Sequence, residues 1–287
     1  MDNIKDYALY DVWPNTVSPL GHLFVKNFYF KETKNQYKNR MVRVYLPSTY
    51  EFDNPNKRFP VLYMMDGKNL FDDYTSFVGE WKIDEIIEGF INKKISDGII
   101  VVGIDAPKGG LERHDEMALP NLKSKDQGRF DGYGYADTFA DFIFNTIKKD
   151  IDQTFYTKKE KQFTGVGGSS MGGLMAYYLA TQYKDDIGYA LCFSPAFFLY
   201  NYEELKEKFL LPNIKNLPRI YLYVGGQQFE EEFVESTFNT YQLLREEGYT
   251  THNVVFVMDS EMMHNEKAWS KYFPDALKWA LDINRLN

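Results

Sequence analysis

Residues 162–180 read Gln-Phe-Thr-Gly-Val-Gly-Gly-Ser-Ser-Met-Gly-Gly-Leu-Met-Ala-Tyr-Tyr-Leu-Ala, and this stretch decides the fold. A short apolar run enters a Gly-x-Ser-x-Gly frame, Gly168-Ser-Ser-Met-Gly172, and a helix-forming run leaves it. This order predicts the strand, sharp turn and helix of a nucleophile elbow with Ser170 at its tip. Small residues are needed two positions before and after Ser170, because Cβ atoms there would crowd the strained turn.

Two other glycine-rich strand-to-helix motifs do not fit this stretch. A phosphate-binding loop needs a Lys before a Ser or Thr at its end, and no Lys stands beside Met171. A dinucleotide-binding fingerprint begins at Gly165 and Gly167, but Ser170 occupies the place of the third glycine. The stretch therefore favours nucleophilic catalysis by Ser170, and the alternative is a glycine-rich turn without chemistry.

The composition narrows the class of protein. The chain has 287 residues, 44% of them hydrophobic, which suits one large α/β domain or two small ones. A net charge of −8 argues against nucleic acid as a partner. The single cysteine, Cys192, excludes a disulfide within the chain, and no two His share a predicted helix face, so we expect no metal.

The N-terminal residues predict the compartment. Residues 1–6 lack a basic segment followed by an apolar one, so no signal peptide is visible. No apolar run approaches the ~18 residues of a membrane span, and we expect no membrane partner. A cytoplasmic enzyme is the prediction, and a mature secreted form is the alternative.

Apolar runs and helical patterns alternate along the chain. This alternation predicts an α/β fold with a mostly parallel sheet of about eight strands, helices on both faces and no large separate lid domain. Residues 1–20 are predicted to be an N-terminal extension, residues 21–287 a single domain, and residues 106–134 a long loop. The predicted strands are 22–31, 41–46, 60–66, 98–105, 162–167, 189–194, 219–225 and 253–258, and the predicted helices are 83–91, 136–155, the elbow helix to about 183, 230–247 and 266–283.

A serine nucleophile needs a base, and His264 is the candidate. It follows the last predicted strand and precedes the final helix, so it lies at the carboxyl edge of the sheet, where sites in such sheets form. It also satisfies the Ser…His order of this architecture. The other three histidines are less suitable as the base. His22 begins a strand, His114 lies in the long loop, and His252 is at the amino end of its strand.

An oxyanion hole needs two N–H donors. The Met171 amide lies at the N-terminus of the elbow helix, where partial positive charge favours an oxyanion. The second donor is expected after the predicted strand 60–66, in Asp66-Gly67-Lys68, and the Lys68 backbone N–H is the candidate. An ordinary Asp-Gly turn is the alternative.

The acid of the triad is the open part of the site. It is expected after the predicted strand 219–225, but no carboxylate lies within four residues of the end of that strand. Glu230 and Glu231 come next, and each can be read either as the acid or as the acidic first turn of the following helix. Asp259 and Glu261 are further options, and Gln228 itself could accept an imidazole N–H.

Several ordered motifs carry a family resemblance over about residues 20–283. They are Tyr63-Met-Met-Asp66-Gly67-Lys-Asn-Leu-Phe71, Trp81-Lys-Ile-Asp84, Val101-Val-Gly-Ile-Asp105 with Arg113 downstream, Gly168-Ser-Ser170-Met-Gly-Gly173 and His264-Asn-Glu-Lys-Ala-Trp269. With these motifs the chain resembles the putative-esterase family of α/β-hydrolases, which includes enterochelin, feruloyl and acetylxylan esterases, S-formylglutathione hydrolases and mycolyl transferases.

The resemblance implies hydrolysis of an acyl ester through a seryl acyl-enzyme, without metal or cofactor. It assigns the nucleophile to Ser170, the base to His264 and the oxyanion donors to Met171 and Lys68. Trp81, Asp84, Arg113 and Trp269 are implied to be supports or pocket-edge residues, and Trp81, Arg113 and Trp269 are the candidates for binding substrate. Where many members have Asp or Glu, this chain has Gln228, so the acid has moved, or a Ser–His dyad acts, or activity is weak.

The aromatic side chains of two loops, 106–134 and 195–218, bear on the substrate. Rings there can stack on a sugar or a phenolic acyl group, or they can simply pack the loops onto the body. The first interpretation predicts a small-molecule or carbohydrate ester, with a catecholate siderophore ester next. A binding protein without catalysis and an acyltransferase remain alternatives. The residues are Phe130, Tyr133, Tyr135, Phe197, Phe198, Tyr200 and Tyr202.

Overall fold

The computed structural model describes residues 4–10, 21–33, 36–126, 128 and 131–282. Nine strands form one sheet in the order β1-β2-β3-β5-β4-β6-β7-β8-β9. In chain order the strands are β1 (Ala8–Leu9), β2 (His22–Thr33), β3 (Gln36–Leu46), β4 (Val61–Met65), β5 (Ile100–Ile104), β6 (Thr164–Ser169), β7 (Tyr189–Phe193), β8 (Arg219–Gly225) and β9 (Val254–Asp259).

The sheet is antiparallel at one edge and parallel elsewhere. Strands β1, β2, β3 and β5 pair antiparallel in turn, while β5, β4, β6, β7, β8 and β9 pair in parallel. Short β1 lies within the predicted N-terminal extension, where Ala8 pairs with Val25 at the sheet edge. Residues 1–3 and 11–20 of that extension lie outside the described residues.

Helices connect the parallel strands and cover the sheet. Among the described residues, none of them is long and apolar enough to cross a bilayer. The α-helices are α1 (Ile83–Asn92), α2 (Gly110–Met117), α3 (Ala136–Phe142), α4 (Lys148–Thr154), α5 (Met171–Gln182), α6 (Tyr202–Leu205), α7 (Leu211–Asn213), α8 (Glu231–Glu246) and α9 (Glu266–Ala280). A π-helical turn, Ile143–Ile147, joins α3 to α4, and another, Lys206–Leu210, joins α6 to α7.

The core has two layers, one on each face of the sheet. Successive residues of a strand point to opposite faces, so buried strands serve both layers. In β4, Tyr63 joins the layer beneath α3, α4 and α5, while Leu62 and Met64 join the layer beneath α1 and α9. This is the α/β-hydrolase architecture that the resemblance implies, and no separate lid domain is evident among the described residues.

The long loop predicted over 106–134 is wrong in part, because α2 lies within it. This helix has no apolar stripe: three of its buried residues are His114, Asp115 and Glu116. Glu116 forms a two-pronged ion pair with Arg40 of β3, with both oxygen–nitrogen distances at 2.6 Å. Hydrophobic periodicity does not reveal a helix that is held to the sheet by a buried ion pair.

We predict that Glu116→Ala lowers the free energy of unfolding by about 3–5 kcal/mol, because Arg40 is left charged and buried without its carboxylate. Equilibrium unfolding in urea measures the loss. The matched control is Glu112→Ala on the same helix, whose ion pair with Lys38 lies near the surface. The control is expected to cost about 1 kcal/mol or less. Equal losses in the two variants would contradict the buried-pair argument.

Candidate active site

The elbow forms where the sequence predicts it. Ser170 lies between β6 and α5 with φ 58° and ψ −122°, a backbone conformation that residues other than glycine rarely adopt. A Cβ on Gly168 would lie 2.7 Å from the backbone of Gly172, and a Cβ on Gly172 would lie 2.9 Å from the Met65 side chain. Both glycines are therefore needed for the turn to close, and Ser170 is left half-buried at its tip.

The proposed oxyanion turn follows β4, the strand beside β6. Asp66 has a left-handed backbone with φ 58°, and Gly67–Asn69 form one 3-10 turn. Gly67 lies so close to β5 that a Cβ there would be 2.7 Å from the Gly103 carbonyl carbon. The amides of Asn69 and Leu70 bond within the turn. The Lys68 carbonyl accepts a hydrogen bond from the Thr75 hydroxyl at 2.9 Å.

Arg113 fixes the start of that turn. Its Nε and Nη2 each lie 2.7 Å from one oxygen of the Asp66 carboxylate, which is a two-pronged ion pair. The Asp66 carboxylate also lies close to the elbow, since a Cβ added to Gly172 would be 3.0 Å from Asp66 Oδ2. Arg113 therefore supports the two segments that carry the Met171 and Lys68 amides, and about a quarter of its side chain is exposed.

His264 lies between β9 and α9 and pairs with a carboxylate. Its Nδ1 is 3.1 Å from Oε1 of Glu230, a residue that is fully buried. The ring packs against Phe233, with ring centroids 4.4 Å apart, and meets the edge of Trp269 at 5.0 Å. The imidazole is thus held in one orientation by a hydrogen bond at Nδ1, leaving Nε2 for other chemistry.

A close contact between two loops brings Glu230 to His264. The amides of Gly226 and Gln227 both donate to the carbonyl of Met262 at 3.0 Å. A Cβ on Gly225 would lie 2.4 Å from that same oxygen, so a side chain there would separate the loops. The chain after β8 then makes a 3-10 turn, Gln228–Glu230, which turns the Glu230 side chain inward.

The remaining acid candidates lie elsewhere. Gln228 is exposed and has a left-handed backbone with φ 59°. Glu231 lies in the first turn of α8, which is the helix-terminus position that the sequence offered as an alternative. Asp259 bonds to Lys271 and Tyr272, and Glu261 is exposed. Of these carboxylates and the Gln228 amide, none hydrogen-bonds to His264 in the described part of the chain, whereas Glu230 does.

Trp81 and Trp269 stack on each other beneath the site. Their ring centroids are 5.7 Å apart, and Trp81 also meets the edge of Phe193 at 4.9 Å. The exposed fractions of the two residues are only 2% and 4%. This burial corrects the expectation that they bind substrate and favours the support role, because neither ring offers an open face. Asp84 at the start of α1 is buried as well.

Ser194 is a site residue that the sequence analysis missed. It follows β7, and its hydroxyl donates to Glu230 Oε1 at 2.7 Å while the Trp269 indole N–H donates to the same hydroxyl at 3.2 Å. The carbonyl of the preceding residue, Phe193, accepts a hydrogen bond from the backbone N–H of Ser170 at 2.9 Å. A polar residue at the carboxyl end of the strand beside the elbow was the available signal.

Glu266 adds a second carboxylate near His264. Its Oε1 accepts a hydrogen bond from Asn69 Nδ2 at 2.9 Å, which ties α9 to the oxyanion turn. Burial raises the pKa of the Glu266 carboxyl, and the negative charge of Asp66 raises it further. The hydrogen bond from Asn69 and the charge of His264 act in the opposite direction but do not cancel the rise.

Most of the aromatic rings singled out in the two loops are packing residues. Phe197 and Tyr200 are buried, and Phe198 packs on Phe233 with ring centroids 4.3 Å apart. Tyr135 stacks on Phe30. In this set Tyr133 is the residue counted among the large exposed apolar side chains, at 43%, while Phe130 lies outside the described residues.

Residues 34–280 match the family model described as Putative esterase. The chain belongs to the Putative esterase family. The resemblance drawn from the sequence motifs is therefore confirmed, and membership of this family supports an ester hydrolase. A curated relative, the uncharacterized protein YbbA of Bacillus subtilis, is 24% identical over 254 residues, which cover 86% of this chain and 94% of YbbA.

Solved structures share the fold of this Putative esterase family member. A ferulic acid esterase superposes with a TM-score of 0.65 at 15% identity, covering 92% of this chain and 98% of that one. The BES protein from Bacillus cereus gives 0.66 at 20% identity, with 89% and 94% covered. The enterobactin esterase FES from Shigella flexneri gives 0.65 at 15% identity, covering 91% of this chain but 58% of that one.

Across residues 4–10, 21–33, 36–126, 128 and 131–282, no cluster of three His, Cys, Asp or Glu could hold a metal ion. The cysteine is buried in the sheet, and burial raises the pKa of the Cys192 thiol above its ordinary value.

We predict that Glu266→Gln raises the free energy of unfolding at pH 7. A carboxyl whose pKa is raised by folding destabilises the folded protein wherever it must ionise, and the neutral amide avoids that cost. The gain should vanish below about pH 4, where the glutamic acid is neutral in both states. Thermal unfolding at several pH values measures this difference.

Asp259 is the control for Glu266, because its substitution is expected to change the free energy of unfolding in the opposite direction. Hydrogen bonds from Lys271 and Tyr272 lower the pKa of Asp259 to about 2. Its ionised form therefore stabilises the fold above about pH 3.9, and this contribution is lost as the pH falls through the folded value. Asp259→Asn should lower the free energy of unfolding at pH 7, and changes of the same sign in both variants would contradict the argument.

Proposed function

We propose that this protein is a serine carboxylesterase that hydrolyses an acyl ester through a seryl acyl-enzyme. The observation that carries the proposal is the buried Glu230 paired to His264 at the sheet edge where the elbow presents Ser170. A nucleophile on an elbow, a base and a carboxylate behind the base are the parts that such chemistry needs. Membership of the Putative esterase family supports the same reaction class.

The steps follow from the positions of these groups. His264 takes the Ser170 proton through Nε2 as the hydroxyl attacks the acyl carbonyl, and then gives it to the leaving alcohol. Water repeats the sequence on the acyl-enzyme. Glu230 accepts a hydrogen bond from the Nδ1–H of His264, which fixes the tautomer and stabilises the imidazolium. The amides of Met171 and Lys68 are the proposed oxyanion donors.

Ser170 and His264 make no direct hydrogen bond in the described structure. They are connected indirectly, through the consecutive residues Phe193 and Ser194. Phe193 accepts from the Ser170 amide, and the next residue, Ser194, bonds to Glu230. Nucleophile–base bonds are often long without substrate and shorten when it binds. The proposed mechanism therefore requires Ser170 and His264 to come within hydrogen-bond distance when an ester binds.

The substrate that we propose carries an apolar or aromatic group. Two exposed aromatic residues are connected to residues of the proposed site: Phe229, which is 81% exposed, precedes Glu230, and Phe77, which is 90% exposed, donates its amide to Asn69. We propose these two rings as the contacts of that apolar group. A phenolic or carbohydrate-linked ester is the leading class, and a catecholate siderophore ester is second, as the ferulic acid and enterobactin esterases of the same fold suggest.

The alternative of a binding protein without catalysis loses its main argument. It rested on Gln228 in the expected position of the acid. We propose Glu230 for that role instead, because its carboxylate, two residues later, lies 3.1 Å from His264 Nδ1. Acyl transfer to an acceptor other than water uses the same groups, and product analysis with added alcohols or sugars separates it from hydrolysis.

We predict that Ser170→Ala and His264→Ala each abolish most turnover of p-nitrophenyl esters, because they remove the nucleophile and its base. A series from acetate to octanoate, with ferulate, measures the loss and sizes the acyl pocket. Lys68→Ala is the matched control, since only its backbone N–H is used. A fluorophosphonate should label wild type and not Ser170→Ala. Full turnover by Ser170→Ala would refute the proposal.

We predict that Glu230→Gln lowers kcat by a factor of about 10²–10⁴, because the amide neither fixes the His264 tautomer nor stabilises the imidazolium as a carboxylate does. Gln228→Ala should leave kcat within about twofold of wild type, because its exposed side chain has no part in the mechanism. Steady-state kinetics on one ester compares the two. The reverse ranking would return the acid role to position 228.

A further inference from the structure

Ser194 has an unusual backbone for a residue of its type. It directly follows β7 with φ 40°, in the left-handed region that favours glycine, and its amide donates to the Tyr223 carbonyl at 2.6 Å. The residue is fully buried. A strained conformation of this kind persists where surrounding contacts determine it, and such residues concentrate at functional sites. Here the conformation directs the hydroxyl towards Glu230.

The direction of each hydrogen bond at Ser194 follows from the donor inventory. The Trp269 indole nitrogen can only donate, so at 3.2 Å the Ser194 oxygen must be the acceptor. The hydroxyl has one proton, and the carboxylate oxygen of Glu230 at 2.7 Å can only accept it. Trp269 therefore orients the Ser194 hydroxyl, and Ser194 in turn donates to Glu230.

Glu230 depends on that donor because it is held at one oxygen only. Its Oε1 receives both the Ser194 hydroxyl and the His264 Nδ1 proton. Its Oε2 is buried and accepts no hydrogen bond in the described part of the chain. A carboxylate bonded at one oxygen is free to rotate about its last torsion unless a second donor fixes that oxygen. Ser194 is this second donor.

We propose that Ser194 and Trp269 are positioning residues that hold the Glu230 carboxylate in line with His264 Nδ1. The proposal rests on the esterase function proposed above and extends it by two residues. Neither side chain reaches the substrate, since both are buried. Their hydrogen bonds act through Glu230, while the Trp269 ring also packs against His264, a contact that Trp269→Phe keeps in part. Their effect is expected when His264 carries a second proton, because the imidazolium needs the carboxylate at a fixed position.

A double-mutant cycle tests the chain of contacts. Ser194→Ala should lower kcat about tenfold with KM within about twofold, since it removes a hydrogen bond to a charged group and touches no substrate. Trp269→Phe keeps an aromatic ring but removes the N–H, and it should lower kcat about threefold. In the Ser194→Ala background the same change should have almost no further effect, because Trp269 acts through Ser194.

Two matched variants serve as controls for packing. Ser236→Ala removes a buried hydroxyl of α8 that bonds only to backbone carbonyls, and it should leave kcat unchanged. Trp81→Phe trims the same stacked tryptophan pair but keeps the Trp269 N–H at Ser194. The proposal would be overturned if the double variant lost kcat by the product of the two single losses, because the two residues would then act independently. It would also be overturned if the control variants lost as much kcat as Ser194→Ala, because the loss would then reflect general destabilisation.

A second measurement separates failure of this proposal from failure of the esterase function. The proton on His264 Nδ1 can be followed without any substrate in the downfield region of the proton NMR spectrum. It should be resolved in wild type and Ser236→Ala, absent in His264→Ala, and broadened or shifted in Ser194→Ala. An unchanged resonance in Ser194→Ala overturns the positioning role even if the wild type hydrolyses no ester, and a lost resonance supports it in that case too.

Discussion

The chain can turn back over the first turn of α5 only because Gly168 and Gly172 have no side chains. A Cβ at either position would overlap its neighbours by a margin that packed backbone cannot accommodate. The strained conformation of Ser170 follows from that closure. Because the elbow joins the central strand β6 to a buried helix, the two core layers on either side of the sheet hold the strain in place.

The rest of the site is assembled from four loops at the same edge of the sheet. Arg113 holds Asp66 against the elbow, and Asn69 bonds to Glu266 at the start of α9. The loops after β8 and before His264 share the Met262 carbonyl. Each of these contacts joins residues far apart in the chain. The geometry of the candidate site therefore depends on contacts among all of these loops, and no single segment determines it.

The sequence predicts the parallel strands well, because buried strands are continuous apolar runs with clear ends. It does not reveal α2, whose buried face is charged and is held by the Arg40–Glu116 pair. It also ends the last helix at 283, whereas the described helix ends at Ala280. The sequence does not show these two features because an ion pair between distant residues determines the first, and fraying at a helix terminus determines the second. Neither leaves a periodic pattern of apolar residues.

The elbow could be predicted from the sequence alone, because a steric requirement for glycine is local and visible in single residues. The order of the proposed nucleophile, Ser170, and the proposed base, His264, is likewise visible in the chain. The sequence left the acid open between Gln228, Glu230 and Glu231, since position along the chain does not show which side chain turns inward. Tertiary structure decided that Glu230 meets His264, through a 3-10 turn and a loop pinned to the Met262 carbonyl. It likewise decided that Ser194 and Trp269 stand behind Glu230, because hydrogen-bond direction depends on atoms that only the folded chain brings together.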